Sequence, residues 1–328
     1  MGSRVITFAA ATLEAMEEEM ARDDRVFLMG EDIARQGGIF GQFQGLPAKF
    51  GYHRVLDTPI SETAIVGFAV GAALVGLRPV VDIHFADFMA ITGDEVINQM
   101  AKMRYLSGGQ LKVPMVIRAP DGVINSAAAH HSQSIESWFL NVPGLKVVTA
   151  STPSDAKGLL KSAIRDDDPV IFLEHKALYR LKGEVPDGEH LVPLGKAEIR
   201  RTGADATVVT YSAMTHLALQ VAEELQQDGI SVEVVDLRSL YPVDWETVLA
   251  SVRRTRRALV LHEAPRFAGF GAELAATIQE KLFGDLIGPV LRLGAKHAPI
   301  PFSPPLEKAL LPSANDIKAA LRRLVAYR

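Results

Sequence analysis

Two short segments of this 328-residue chain carry residue types that perform proton chemistry. One is Ala128-Ala129-His130-His131-Ser132-Gln133-Ser134, where imidazoles sit among small residues and folding alone does not ask for them. The other is Asp57-Thr58-Pro59-Ile60-Ser61-Glu62, which puts a lone carboxylate at the mouth of an almost wholly apolar run. An acid in apolar surroundings and an imidazole that can donate or accept near neutral pH point to proton transfer on a bound ring or carbonyl.

Such groups need rigid elements to hold them, and the pattern alternates strand and helix almost from end to end. Thr12 to Met20 reads as a helix, Val26 to Met29 as a strand, and Gly37 to Gly45 as a glycine-rich loop. Val80 to Phe85 is the next strand. Thr92-Gly93-Asp94-Glu95 has the form of a capping box opening a helix through Met103. Strands follow at Val113 to Ile117, Leu145 to Thr149 and Val170 to Leu173, with a helix from Ser154, its expected cap, to Arg165. A polar stretch broken by proline and glycine, roughly 180 to 194, reads as a linker. Beyond it come strands at Thr207 to Thr210, Val232 to Asp236, Ala258 to Leu261 and Val290 to Leu293. The helices between and after them run from Met214 to Gln227, Trp245 to Val252, Ala272 to Phe283 and Asp316 to Val325. Short apolar strands without alternation indicate parallel sheets covered on both faces. The expectation is an α/β protein of two doubly wound domains, residues 1–185 and 195–328.

Composition removes several functions. A net charge of -4 with 23% charged residues gives no basic footprint, so no nucleic-acid partner is expected. The absence of cysteine excludes disulfides, thiolate metal sites and a cysteine nucleophile, and accords with a reducing cytoplasm. No signal peptide opens the chain, so a cytoplasmic protein is expected. Ala64 to Leu77 imitates a membrane segment, but at about 14 residues it falls short of the ~20 that span a bilayer. It reads as a soluble helix buried on all sides, whose Gly67, Gly71 and Ala72 admit a second backbone closely. Neither GxGxxG with a downstream acid nor GxxxxGK[ST] occurs, which argues against a nicotinamide or P-loop enzyme.

The residues resemble a family along essentially the whole chain, in order and with similar spacing. Gly30-Glu31-Asp32, Asp57 to Glu62, Gly71-Ala72-Ala73, Gly76-Leu77-Arg78-Pro79 and Ser107-Gly108-Gly109 carry the resemblance. So do His131-Ser132-Gln133, Val142 to Val148 and His262-Glu263-Ala264-Pro265. Together they are similar to the β subunit of the thiamine-diphosphate-dependent 2-oxoacid dehydrogenases, which include the pyruvate, branched-chain and acetoin systems. The resemblance implies a transketolase-like pyrimidine-binding domain followed by a transketolase C-terminal-like domain.

It also implies roles. Glu62 would bond the aminopyrimidine nitrogen N1′ of thiamine diphosphate and favour its imino tautomer, with Phe88 stacked on that ring and Ile60 and His84 lining the same pocket. His131 would face the bound intermediate, while His130 stands where the family commonly has glutamine. Met115, Ala163, Ile164, Asp166 and Asp168 match a potassium site, the last in place of a frequent asparagine. No Gly-Asp-Gly motif with a following asparagine is present, so magnesium and the diphosphate fall to an α subunit in an α2β2 heterotetramer. That assembly would act on a 2-oxoacid or acetoin and acylate a lipoyl group on a dihydrolipoyl acyltransferase core. The C-terminal half of a split transketolase and a non-catalytic scaffold of the same fold are the alternatives.

Overall fold

The computed structural model describes residues 2–327. The chain divides into two compact units. The first runs to Asp121 and resumes over Trp138–Leu194; the second takes Gly122–Ser137 and continues from Gly195.

In the first unit six strands lie parallel. Across the sheet their order is Lys146–Thr149, Val170–His175, Val116–Asp121, Arg78–Asp82, Val26–Gly30 and Val55–Asp57. Every residue of Val26–Gly30, Arg78–Asp82, Val116–Asp121 and Val170–His175 is buried. Burial at every position, rather than at alternate ones, means that both faces of the sheet are covered. Gly30 is required by close packing: a Cβ there would lie 2.6 Å from the Asp82 carbonyl oxygen on the neighbouring strand. The helices Phe8–Arg22 and Pro153–Arg165 pack together through ion pairs, with the fully buried Lys157 and Lys161 both reaching Glu18.

The strands of the second unit run in the order Leu291–Ala295, Ala258–Pro265, Ala206–Thr210, Val232–Asp236 and Glu198–Arg201, the last antiparallel to its neighbour. Val208, Ala218, Leu225, Val234, Leu259 and Leu321 form the centre of its core. Its helices are Ala213–Gln226, Trp245–Thr255, Gly271–Leu282, Pro304–Leu310 and Ala314–Val325, and Ser313 with Asp316 makes a complete capping box on the last.

Four local expectations are corrected. The helix after Thr152 is capped by that residue, whose hydroxyl accepts from Asp155 N at 3.1 Å, because Pro153 occupies the first helical position and Ser154 lies inside. Thr92 caps nothing; its hydroxyl donates to Met89 O at 2.9 Å within a 3-10 turn, Ala86–Thr92, that enters the helical path earlier. A π-helical stretch, Glu95–Met100, then leads into Ala101–Leu106. Lys182–Pro186, expected as linker, is a strand paired antiparallel with Ser3–Thr7. The helix Glu62–Leu74 is not buried on all sides, since Phe68 is 60% exposed and Val75 just beyond it 80%. Among the described residues no helix is long and apolar enough to cross a membrane.

Gly144 marks the tightest contact in the first unit. Its φ of +103° is left-handed, and a Cβ there would lie 2.0 Å from the Ala101 carbonyl oxygen. Gly144→Ala therefore meets both backbone strain and overpacking, for an expected loss of about 2–4 kcal/mol. A urea midpoint equal to that of the parent chain would refute this.

Candidate active site

Glu62 is the first residue of its helix, and the chain is led to it from the end of the Val55–Asp57 strand. Thr58 N donates to Gly30 O at 2.9 Å, tying this approach to the adjacent strand end. The Asp57 carboxylate accepts from Ala34 N at 2.6 Å and Arg35 N at 3.2 Å, which fixes the loop after Gly30. One position into the helix, the Thr63 hydroxyl donates to Ile91 O at 3.1 Å and joins this turn to the segment carrying Phe88. This turn lies at the carboxyl ends of parallel strands, the region where open α/β sheets bind ligands.

Glu62 is only 9% exposed, yet its carboxylate makes no hydrogen bond with any described residue. Glu31, buried at the end of the neighbouring strand, stands close enough to feel it. Burial pushes the Glu31 carboxyl up from its ordinary value; the His84 imidazole opposes that shift and the negative charge of Glu62 adds to it. His84 is half-buried. Its Nε2–H donates to the Glu31 carbonyl oxygen at 2.7 Å, and its Nδ1 lies 3.4 Å from the Glu31 carboxylate. The Glu31 carboxyl is thus held less acidic than usual next to a Glu62 carboxylate that makes no hydrogen bond with a described residue.

Phe88 is half-buried, packed edge-on against Phe85 with ring centres 5.7 Å apart; Phe85 in turn meets Phe40 at 5.9 Å. The three rings form a small cluster packed edge to face. Ile60 is 82% exposed in this chain, and Tyr105 is also exposed.

Under His84 lies a charged core. Arg118, fully buried, donates to Glu174 Oε2 at 2.6 Å, places its Nε 3.8 Å from Asp82 Oδ1, and sits 4.4 Å over the Phe43 ring. Burial raises the Asp82 carboxyl to about 6, with Arg118 opposing and Glu174 adding. The buried Tyr179 hydroxyl is likewise pushed up, by desolvation first and by Glu174 second.

The oxygens matched to potassium are already acceptors. Met115 O takes Val170 N at 3.0 Å and Ala163 O takes Asp166 N at 3.2 Å. Arg78 donates to Ile164 O at 2.9 Å and to Asp166 O at 2.7 Å. The Asp166 carboxylate is held by Lys146 Nζ at 2.7 Å, and Asp168 pairs with Arg104 and Lys146. Among the described residues no three His, Asp or Glu side chains gather into a metal-binding group.

His131 belongs by its contacts to the second unit, in Gly122–Ser137. It is half-buried and its N–H donates to Ala128 O at 3.4 Å, whereas His130 is exposed. Thus the structure gathers Glu62, His84 and Phe88 in the first unit and sets His131 on the second. Sequence reasoning did not assign Glu31 to the site, although it stood in the quoted Gly30-Glu31-Asp32 run. It also gave no role to Glu263, which stood in the quoted His262-Glu263-Ala264-Pro265 run, or to Glu307; these accept from the amides of Val123 and Ser126 in the histidine loop.

Comparison with known proteins divides the chain at the same point near residue 190 but keeps residues 122–137 with the N-terminal part. Residues 4–182 match the transketolase pyrimidine-binding domain model and residues 195–317 the transketolase C-terminal domain model. The chain is 46% identical over 325 residues to the 2-oxoisovalerate dehydrogenase subunit beta of Bacillus subtilis, covering 98% of this chain and 99% of that one. It is 46% identical over 331 residues to the acetoin:2,6-dichlorophenolindophenol oxidoreductase subunit beta of Cupriavidus necator, covering 98% of each. To the pyruvate dehydrogenase E1 component subunit beta of Rickettsia felis it is 44% identical over 322 residues, covering 98% and 99%. A split-gene transketolase solved as an inactive beta4 tetramer shares the fold, with a TM-score of 0.79 at 23% identity over 98% of this chain and 99% of that one. With relatives so alike over so much of its length, the chain belongs to the family of transketolase-like β subunits of the 2-oxoacid and acetoin dehydrogenases.

Proposed function

We propose that this chain is the β subunit of a thiamine-diphosphate-dependent dehydrogenase of a 2-oxoacid or acetoin, active with an α subunit as an α2β2 heterotetramer. In that assembly it transfers an acyl group to the lipoyl group of a dihydrolipoyl acyltransferase core in the cytoplasm. The observation that carries the reading is the nearly buried Glu62 carboxylate, which has no hydrogen bond among the described residues, lies within electrostatic reach of Glu31, and is followed by Thr63 bonded to the segment that carries Phe88. A heteroaromatic ring with a basic nitrogen supplies what that acid lacks, and an aromatic edge to stack on it is worth about 1 kcal/mol beyond burial. Thiamine diphosphate, when bound, supplies a nucleophilic thiazolium carbon and an electron sink for loss of carbon dioxide.

The chain's own residues do the rest. Glu62 exchanges a proton with the pyrimidine nitrogen N1′, and Glu31 with His84 keeps the surrounding charge in balance. Phe88 orients the ring, and Ile60 closes the pocket once the partner is in place. His131 donates to the oxygen of the substrate as negative charge grows there. The magnesium and diphosphate half of the site is left to the α subunit, since the chain has no motif for it. Mixing the chain with its α subunit should create thiamine diphosphate binding, measured by calorimetry, and lipoamide-dependent turnover of pyruvate, a branched 2-oxoacid or acetoin. Full turnover by the chain alone would defeat the proposal.

Potassium would rest on backbone oxygens only, because the Asp166 and Asp168 carboxylates are committed to Lys146 and Arg104. Each carbonyl of Met115, Ala163, Ile164, Asp166 and Asp168 has two lone pairs, so a cation can share it with a donor. The melting temperature should then rise when potassium replaces tetramethylammonium at equal ionic strength. No rise means that Arg78 and Lys146 hold this corner unaided.

A further inference from the structure

The loop bearing His131 follows an unfavourable backbone path. Asn125, Ser126 and Ala128 have φ of +27°, +63° and +60°, the left-handed region that residues with a Cβ avoid. Three such residues in four positions persist only where their surroundings over-determine them.

Two buried carboxylates supply that constraint. At the base, Glu263 Oε1 accepts from Val123 N at 2.7 Å and from the Ser134 hydroxyl at 3.3 Å, so one acid ties both limbs of the loop. The limbs also meet directly, with Gly122 N donating to Gln133 O at 3.1 Å. Near the apex, Glu307 Oε2 accepts from Ser126 N, the amide of a left-handed residue, at 2.9 Å. Both acids stand on firm ground. Glu263 is part of the Ala258–Pro265 strand, next to the fully buried His262, whose ring leaves no room for a Cβ on Gly271 or Gly294. Glu307 belongs to the Pro304–Leu310 helix.

We propose that Glu263 and Glu307 are positioning residues for His131. Their carboxylates select one path for the strained loop and so fix where the imidazole points. The C-terminal domain then contributes to the reaction by orienting a histidine that precedes it in the chain. This rests on the role given to His131 under the proposed function.

The test uses the assembled enzyme with its α subunit. Misplacing a reacting group by about 1 Å can cost on the order of 100-fold. Glu307→Ala and Glu263→Ala should therefore lower kcat by roughly 10- to 100-fold, with KM and thiamine diphosphate affinity within about twofold of the parent. Glu307→Gln should recover most of the loss, because an amide oxygen accepts from the same N–H. In a His131→Ala background, Glu307→Ala should cost nothing further, as expected for residues acting through one another. An equal loss in both backgrounds overturns the proposal, as does parental kcat in Glu307→Ala. Should Glu307→Ala fail to fold, Glu263→Asp and Glu307→Asp, whose shorter side chains withdraw the acceptor oxygen, take its place, and hydrogen exchange at the Val123 and Ser126 amides must quicken in them, or the clamp is refuted. Normal turnover by His131→Ala alone would instead refute the role of the histidine, and is read separately from the clamp.

Discussion

Glu62→Gln, assembled with the α subunit, should turn over on the order of 10² to 10⁴-fold more slowly than the parent enzyme, the range that a positioned acid–base group supplies. The substitution keeps volume and shape but removes the ability to exchange a proton. Nothing in the fold should suffer. The Glu62 carboxylate makes no hydrogen bond with any described residue, and its charge burdens Glu31, so the melting temperature should hold or rise slightly. Thiamine diphosphate should still bind, within about tenfold by calorimetry, because an amide can meet the pyrimidine nitrogen with one hydrogen bond. Steady-state turnover, melting and calorimetry on one preparation separate these effects. Parental turnover from the Gln enzyme would remove the reading of this site.

That prediction rests on residues visible before any coordinates, and others were not. Strands were legible as short valine-, isoleucine- and leucine-rich stretches between helices, so Val232–Asp236 was placed to the residue although it buries Glu233 and Asp236. Local competition decided the misses. Ser154 and Thr152 are both good caps, and only Pro153 in the first helical position picks between them. Lys182–Pro186 has a linker's composition, and it is a strand because Ser3–Thr7 pairs with it from the other end of the unit. The apolar helix after Glu62 shows no polar face, yet Phe68 is exposed; apolarity all round does not say whether the covering surface is within the chain. The residues proposed for the chemistry, Glu62, Phe88 and His131, each sit in a contiguous motif. The Glu263 and Glu307 bonds span 140 and 181 positions, and no local pattern encodes such pairings.

Arg118→Met should cost the first unit about 3–5 kcal/mol at pH 7.5, because it leaves Asp82 and Glu174 as buried carboxylates without their guanidinium. The stem of methionine fills much of the space over Phe43, so loss of charge rather than volume dominates. The pH dependence identifies the cause. Burial pushes the Asp82 carboxyl in the folded chain from an ordinary 3.8 up to about 6, outweighing the help of Arg118. A carboxyl raised on folding contributes stability that is fully present below its unfolded value and lost as pH climbs through its folded one. Without Arg118 the folded value climbs further, so by pH 5 Asp82 is neutral in the variant and much of the penalty has gone. Urea denaturation should accordingly show a smaller deficit at pH 5 than at pH 7.5. The triple variant Arg118→Met, Asp82→Asn, Glu174→Gln should regain most of the stability at both pH values, since a buried ion pair is dispensable once no charge is left alone. A deficit equal at both pH values would assign the loss to packing over Phe43. Asp82 ends the strand that leads two residues later to His84, and the two groups feel each other's charge. A variant with neutral pH stability restored but His84 displaced would bind the cofactor more weakly while unfolding at the parental midpoint, and only the triple variant can separate those two properties.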